Sequence, residues 1–438
     1  MQAIRGSLVT FTGDPFVAGV EASRRYERDA IVVMDAGRIL AAGPASEMLQ
    51  GLAPGVEVTR YANALITAGF IDCHVHYPQL PIIGAGGKPL LDWLSGYTFV
   101  AEDRFAEEGY ARSVARTYLR ENLRNGITSA SVFCTVHAVS ADVLFEEASA
   151  LDLRMIAGKV LMDRNAPAGL LDTAQRAYDE SKALIGRWHN HGRLAFAVTP
   201  RFAVTSTPAQ LDAAGALKRE HPDAYVQSHV SENLAEVALV ASMFPDAASY
   251  LDVYARHGLT GPRTIYGHGV HLDERDFAFL HATGTAIAHC PTSNNFLGSG
   301  LFQLGAAKQR DRPVRVGLAT DLGGGTSFSI LRTMQAAYEV AQLAGAPLAP
   351  SCALYLATRG AAQALDLDHC IGSVAPGMEA DLVVLDLAST PLIEMRMSYA
   401  NDIEEVLAIQ MALGDERAVR ATYVAGRRAY DRDARQFA

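Results

Sequence analysis

The sequence predicts an α/β protein, a TIM-like (β/α)8 barrel joined to a small β domain that both ends of the chain build. Three observations lead there: short apolar runs alternate with longer helical stretches, the polar residues of each run gather at its C-terminal end, and two similar segments stand near opposite termini. Strands buried on both faces read as near-continuous apolar runs, and in a β/α barrel the C-terminal strand ends face the site of reaction.

The paired segments are IVVMDAGRILAAG, from Ile31 to Gly43, and VRATYVAGRRAY, from Val419 to Tyr430. Each sets Ala-Gly-Arg between β-favouring runs, which reads as a hairpin whose glycine supplies the permissive turn conformation. A further run, DLVVLDL from Asp381, follows the turn-like PGMEA at Pro376. Residues 1–66 and 372–438 are therefore expected to form the small β domain, and residues 67–371 the barrel.

Eight barrel strands are expected: GFIDCHVH, GITSASVF, LRMIAGKVLM, LAFAVTPRF, AYVQSHVSE, TIYGHGV, TAIAHCPTSN and VRVGLATD, starting at Gly69, Gly126, Leu153, Leu194, Ala224, Thr264, Thr285 and Val314. Stretches such as EEGYARSVARTYLRENLRNG, Glu107 to Gly126, supply helices between them. This alternation belongs to repeated βα units around a parallel sheet.

Composition narrows the function. A hydrophobic fraction of 49% with 20% charged residues can fill a large core, which argues against disorder. The formal charge of −10 comes from scattered carboxylates, and without a basic run no polynucleotide partner is expected. No apolar run reaches the roughly 18 residues of a membrane span, and the opening MQAIRGSLVTFTGD lacks the apolar region of a secretory signal, so a soluble cytoplasmic protein is expected. Cys73, Cys134, Cys290, Cys352 and Cys370 are odd in number and contain no CxxC pair, which suggests reduced buried thiols.

The chemistry gathers at strand ends. His74 and His76, in DCHVH, lie two apart at the end of the first strand, so both imidazoles point to the same face. Alone, that pair is equally compatible with surface or satisfied core histidines. His229 in QSHVSE, His268 in YGHGV and Asp321 in LATD then fall at the ends of strands five, six and eight. Five ligand-type side chains at one rim of one barrel point to a metal centre.

This arrangement resembles the amidohydrolase superfamily, whose pattern is HxH after the first strand, single histidines after the fifth and sixth, and aspartate after the eighth. Within it the closest resemblance is to the guanine deaminase family, carried by GFIDCHVHYPQ, LDWLSGYTFVAEDRF, TPRF, QSHVSEN, AHCPTSN and GLATDLGGG in the same order. The resemblance implies a metal-dependent hydrolase barrel with a small β-sandwich domain, a homodimer, and hydrolytic deamination of guanine to xanthine and ammonia. Two-metal relatives carry a carboxylated lysine on the fourth strand, and LAFAVTPRF has no lysine. Lys159, on the third strand, reads better as a salt-bridged or snorkelling residue. One divalent ion is therefore expected; mixed imidazole and carboxylate donors suit zinc, with iron(II) also compatible.

The expected ligands are His74, His76, His229, His268 and Asp321, although His268 is equally readable as a hydrogen-bond partner of the nucleophile. Asp321 is expected to hold the attacking water and take its proton. Glu232, three residues after His229, is placed to protonate N3 of the purine and to deliver a proton to the leaving amine; otherwise it is a solvated residue opening a helix. Arg201 in TPRF offers a planar fork to the O6 and N7 acceptors of guanine, which adenine lacks as a pair. Phe202 is expected to pack on the base, Gln79 to bond the ring edge, Trp93 to help close the site, and His229 also to contact the substrate.

Two patterns carry less. LGGGTSF after Asp321 lacks the lysine and spacing of a P-loop and reads as a tight turn near the metal. His289 and Cys290 are neighbours on a strand, face opposite sides and read as supporting residues. Rival functions are a deaminase of another amino-heterocycle, a cyclic-amide hydrolase, or a non-catalytic barrel scaffold; the scaffold should have lost a ligand, and none is missing. Deaminases that bind zinc through PCxxC are excluded by the lack of CxxC.

Overall fold

The computed structural model describes residues 1–434 and 436–437. The chain opens with four strands, β1 (Gln2–Phe11), β2 (Arg24–Asp35), β3 (Arg38–Pro44) and β4 (Glu57–Ala68). The barrel strands follow: β5 (Phe70–His76), β6 (Ile127–Phe133), β7 (Arg154–Gly158), the short β8 (Val160–Leu161) and β9 (Ala195–Pro200). After them come β10 (Tyr225–Val230), β11 (Thr264–His268), β12 (Ala286–His289) and β13 (Val316–Leu318). The chain returns to the first sheet with β14 (Leu382–Asp386), β15 (Val419–Val424), β16 (Arg427–Asp431) and β17 (Gln436–Phe437).

Both termini build one eight-stranded ladder, in the order β17-β16-β15-β14-β4-β1-β2-β3, and the two ends of the chain meet at the antiparallel pair β14 and β4. The two look-alike segments form the expected hairpins. Ala36 and Gly37, like Ala425 and Gly426, all have φ between 45° and 79°, the paired left-handed residues of a primed hairpin turn. The alanines thus share the backbone demand that the sequence reading placed on glycine alone. Both turns dock on one residue: Ala380 N–H donates to Gly37 O, and Gly426 N–H donates to Ala380 O, each at 2.9 Å.

That segment also anchors the small sheet to the barrel. Glu379 accepts from Arg154 Nε at 3.0 Å and from Arg193 Nη2 at 2.7 Å, while Asp381 pairs with Arg193 and accepts from Ala425 N–H at 2.8 Å. Removed from water, these carboxylates and guanidinium groups compensate each other's lost hydration. Two helices, Pro391–Met397 and Ile403–Leu413, stand between β14 and β15 where the turn and strand signals did not announce them; the second packs on the barrel helices Ile330–Leu343 and Pro350–Ala357.

All eight expected barrel strands are present and pair in parallel, in the order β5-β6-β7-β9-β10-β11-β12-β13. Helices cover them by burying one stripe. The helix Glu108–Arg124, for example, buries Ala111, Val114, Ala115, Tyr118, Leu119 and Leu123, at the spacing one helical face requires. The third run differs from expectation by breaking at Lys159 into β7 and β8. Gly158 lies so close to β9 that a Cβ would sit 1.8 Å from Ala197 O. Lys159 turns away from the barrel interior, buried against Asp172, Glu180 and the Val136 carbonyl, so it is the salt-bridged lysine of the sequence reading.

Among the described residues the first and last barrel strands share no ladder, and side chains complete the circle. The Asp72 carboxylate accepts from Thr320 N–H at 2.9 Å and from the Thr320 hydroxyl at 2.5 Å. Asp321 N–H donates to His74 O at 3.0 Å. A Cβ at Gly317 would fall 2.3 Å from Cys73 Sγ, so glycine is what lets β13 approach β5. Thr320→Val keeps the shape but leaves one Asp72 oxygen buried without its donor. We expect a loss of about 1–3 kcal/mol, read from the urea midpoint, together with weaker retention of any bound metal.

Candidate metal centre and pocket

The ends of β5, β10 and β11 and the turn after β13 converge on one buried point. His76 Nε2 and His229 Nε2 lie 3.0 Å apart, and Asp321 Oδ1 lies 3.4 Å from His74 Nε2 and 3.7 Å from His76 Nε2. His268 Nε2 is 3.7 Å from Asp321 Oδ2 and 3.4 Å from Glu232 Oε2. Nitrogen and oxygen donors about 2.0–2.2 Å from one divalent ion are themselves about 3.0–3.5 Å apart, so the separations suit a shared cation. His74 Nε2 is buried and makes no hydrogen bond, as a nitrogen aimed at an ion would be. His74, His76, His229, His268 and Asp321 could therefore hold a metal.

Backbone geometry and hydrogen bonds aim these groups. His229 Nδ1–H donates to Arg201 O at 2.6 Å, which leaves its Nε2 lone pair for the centre. Asn294 Oδ1 lies 2.9 Å from His268 Nδ1 and orients that ring in the same way. His268 and Asp321 adopt φ of 72° and 46°, left-handed values that cost strain and turn both side chains inward at the strand ends. A Cβ on Gly267 would meet the His74 ring at 2.7 Å, so β11 approaches the centre only through that glycine.

The electrostatics suit a ligand set. Burial, reinforced by neighbouring histidines and Arg201, holds His76 and His229 well below the ordinary histidine range. Burial also lowers His74, against the pull of Asp321. Burial would raise Asp321, but contacts with His74 and His268 overcome it and keep the carboxylate ionised. Neutral imidazoles and a carboxylate are the protonation states that bind a divalent cation. Burial pulls His268 down as well, yet the carboxylates of Glu232 and Asp321 more than offset it.

A pocket of about 370 Å³ opens beside this cluster. Its walls include every substrate residue singled out from the sequence: Gln79, Trp93, Arg201, Phe202, His229 and Glu232. Arg201 is buried rather than on the surface, and its Nη1 donates to both oxygens of Glu102 at 2.9 and 2.7 Å. Trp93 comes from the short helix Leu90–Trp93 in the loop after β5 and ties that loop together through its indole N–H, which donates to Ala85 O at 2.5 Å. Burial lifts Glu232 to about 7, opposed by the nearby His268. Glu232 is therefore no solvated helix residue: it points inward, where Ser299 Oγ donates to its Oε1 at 3.2 Å.

The residues that hold these groups carry no signal in the sequence pattern. Glu102, Asn294 and Ser299 touch Arg201, His268 and Glu232 respectively, and Glu236 accepts from Glu232 N–H at 2.8 Å. Glu102 and Asn294 stand inside the blocks LDWLSGYTFVAEDRF and AHCPTSN, but no spacing rule says which way a loop helix turns them. Asn233 and Glu236 form a capping box at the start of the helix Leu234–Met243. His289 packs outward on Phe302 with ring centroids 4.7 Å apart, while Cys290 is buried close to His74, His268 and Asp321.

A rim of histidines and aspartate at the C-terminal mouth of such a barrel defines a metal-dependent hydrolase fold, and residues 65–429 match the amidohydrolase family. The chain belongs to that family, and within it to the guanine deaminases. It is 45% identical to the guanine deaminase of Escherichia coli K12 over 99% of this chain and 98% of that one. The solved E. coli guanine deaminase structure superposes with a TM-score of 0.96 and 45% identity, covering 99% of this chain and 100% of that one. The guanine deaminase of C. acetobutylicum, solved with guanine in its active site, superposes with a TM-score of 0.86 at 26% identity, covering 98% of this chain and all of that one.

We expect metal analysis of the purified protein to return about one divalent ion per chain. His76→Ala combined with His229→Ala should lose most of that ion while far-ultraviolet circular dichroism stays unchanged. Full metal occupancy in the double variant would show that the ion sits elsewhere.

Proposed function

We propose that the chain hydrolyses guanine to xanthine and ammonia in this pocket. The observation that carries the reading is the pairing, within one pocket of about 370 Å³, of the donor cluster and Glu232 with the buried Arg201 and Gln79. Guanine deaminase relatives over the whole length favour this substrate above another amino-heterocycle or a cyclic amide. A scaffold without chemistry would have no reason to keep buried, mutually close donors at such desolvation cost.

His74, His76, His229 and Asp321, with His268 in reach, would hold a divalent ion, zinc by the donor set with iron(II) also compatible, and such an ion would supply a water acidic enough to attack at neutral pH. His268 Nε2, 3.4 Å from a Glu232 oxygen and 3.7 Å from an Asp321 oxygen, is in reach both of the ion site and of the nucleophile. Arg201 gives its free N–H groups to O6 and N7, Gln79 bonds the ring edge, and Phe202 and Trp93 cover the base. His229 forms the floor under the reacting carbon.

The water adds to C2 as Asp321 takes its proton and Glu232 gives one to N3. Burial, which lifts Glu232 to about 7, leaves a substantial share of that carboxyl in its acid form near neutrality. As the C2–amine bond breaks, the proton on Asp321 passes through Glu232 to the departing ammonia. The C2 hydroxyl proton then returns Glu232 to its acid form as the carbonyl of xanthine forms. The same reading takes in a homodimer, checked by light scattering, and a cytoplasmic setting; among the described residues no helix is long and apolar enough to cross a membrane.

The assay follows xanthine formation from guanine, with adenine, cytosine and hydantoin as alternatives, before and after chelation. Only guanine should turn over, and chelation should abolish it. Glu232→Gln should lower kcat by about 10²–10⁴-fold with metal content unchanged. Near-full turnover in that variant, or comparable rates on adenine, would sink the assigned roles.

A further inference from the structure

We infer that Glu102 is a positioning residue that sets the hydrogen-bond pattern of the pocket, holding Arg201 as a donor fork and turning the Gln79 amide so that its oxygen faces the base. This inference rests on the reading of guanine as substrate. Glu102 lies on the helix Phe99–Asp103, in the loop after β5, and is fully buried. A carboxylate can only accept, and it receives Arg201 Nη1 on both oxygens, at 2.9 and 2.7 Å, and Gln79 Nε2 on Oε1 at 3.4 Å. The same helix supports Arg201 a second time, with the guanidinium carbon 5.6 Å from the Phe99 ring centroid.

Two consequences follow. Arg201 is almost completely buried, and without an anionic partner a guanidinium there is costly, so Glu102 is what makes the fork tolerable. With Nη1 committed, Nε and Nη2 have no other acceptor among the described residues and remain as donors for the substrate. Gln79 could present either end of its amide. Because the carboxylate takes the NH2 end, Oε1 is left as an acceptor, and among the described residues it has no donor of its own.

The pocket therefore offers adjacent donors and one acceptor. Guanine carries the complement, O6 and N7 as acceptors and N1–H as a donor beside O6. Adenine inverts the pattern at both six-ring positions, with a donor at N6 and an acceptor at N1. Discrimination on this account comes from a residue that need not touch the base.

The test compares hypoxanthine, which keeps O6, N1–H and N7, with purine, which keeps only N7, as competitive inhibitors of guanine turnover. An unaltered enzyme that does not deaminate guanine fails the substrate reading itself, before any variant is compared. In Glu102→Gln the neutral amide can donate, so Gln79 is released and the Arg201 fork loses its anchor. We expect the hypoxanthine-over-purine preference to fall at least about tenfold, the equivalent of one lost hydrogen bond in a buried site, and KM for guanine to rise by more than kcat falls. Glu102→Asp keeps the charge but not the reach, and should lose the preference too while retaining more stability. An unchanged preference in either folded variant overturns the inference. So does loss of metal and fold in both, which would assign Glu102 to stability alone.

Discussion

The parallel strands of the barrel form a continuous ladder from β5 around to β13, and the last gap is bridged by the Asp72 carboxylate holding both donors of Thr320. The site depends on that bridge. Asp321 follows Thr320 directly and bonds the backbone of His74, so closing the barrel is the same event as bringing the carboxylate to the histidines of the first strand. Two glycines permit the approach: Gly317 beside Cys73 and Gly267 beside the His74 ring, where any Cβ would collide. Packing at the seam is therefore as much a determinant of the donor cluster as the donor side chains themselves.

Around the donors lies a second set of contacts, supplied mostly by the loops that follow the barrel strands. The loop after β5 contributes Gln79, Trp93 and Glu102; the segment after β12 contributes Asn294 and Ser299, which hold His268 and Glu232. Glu236, capping its own helix, fixes the backbone of Glu232 from behind. The division of labour is physical. Strands hold the donor side chains rigidly, whereas loops, free of ladder constraints, line the pocket.

The burial of these groups is what gives them their chemistry. His76 and His229, shielded from water, stay neutral and keep their lone pairs, Asp321 stays charged through its contacts with His74 and His268, and Glu232 is lifted toward neutrality. Each state would be different on an exposed surface. The small terminal sheet stands apart from this and acts as a support, held by Arg154 and Arg193 against Glu379 and Asp381.

The barrel, the hairpins at both termini and the residues of the rim were legible in the sequence, because strand burial and side-chain alternation leave period and position in the order of residues. His74 and His76 could be placed on one face by counting. The break at Lys159, the helices between β14 and β15, and the partners Glu102, Asn294 and Ser299 were not legible. They depend on close approach between segments far apart in the chain, such as Gly158 against Ala197 or Glu102 against Arg201. Local order determines which groups exist and which way a strand turns them; only the closed tertiary structure decides which carboxylate meets which arginine, because that is set by packing distances that no residue spacing records.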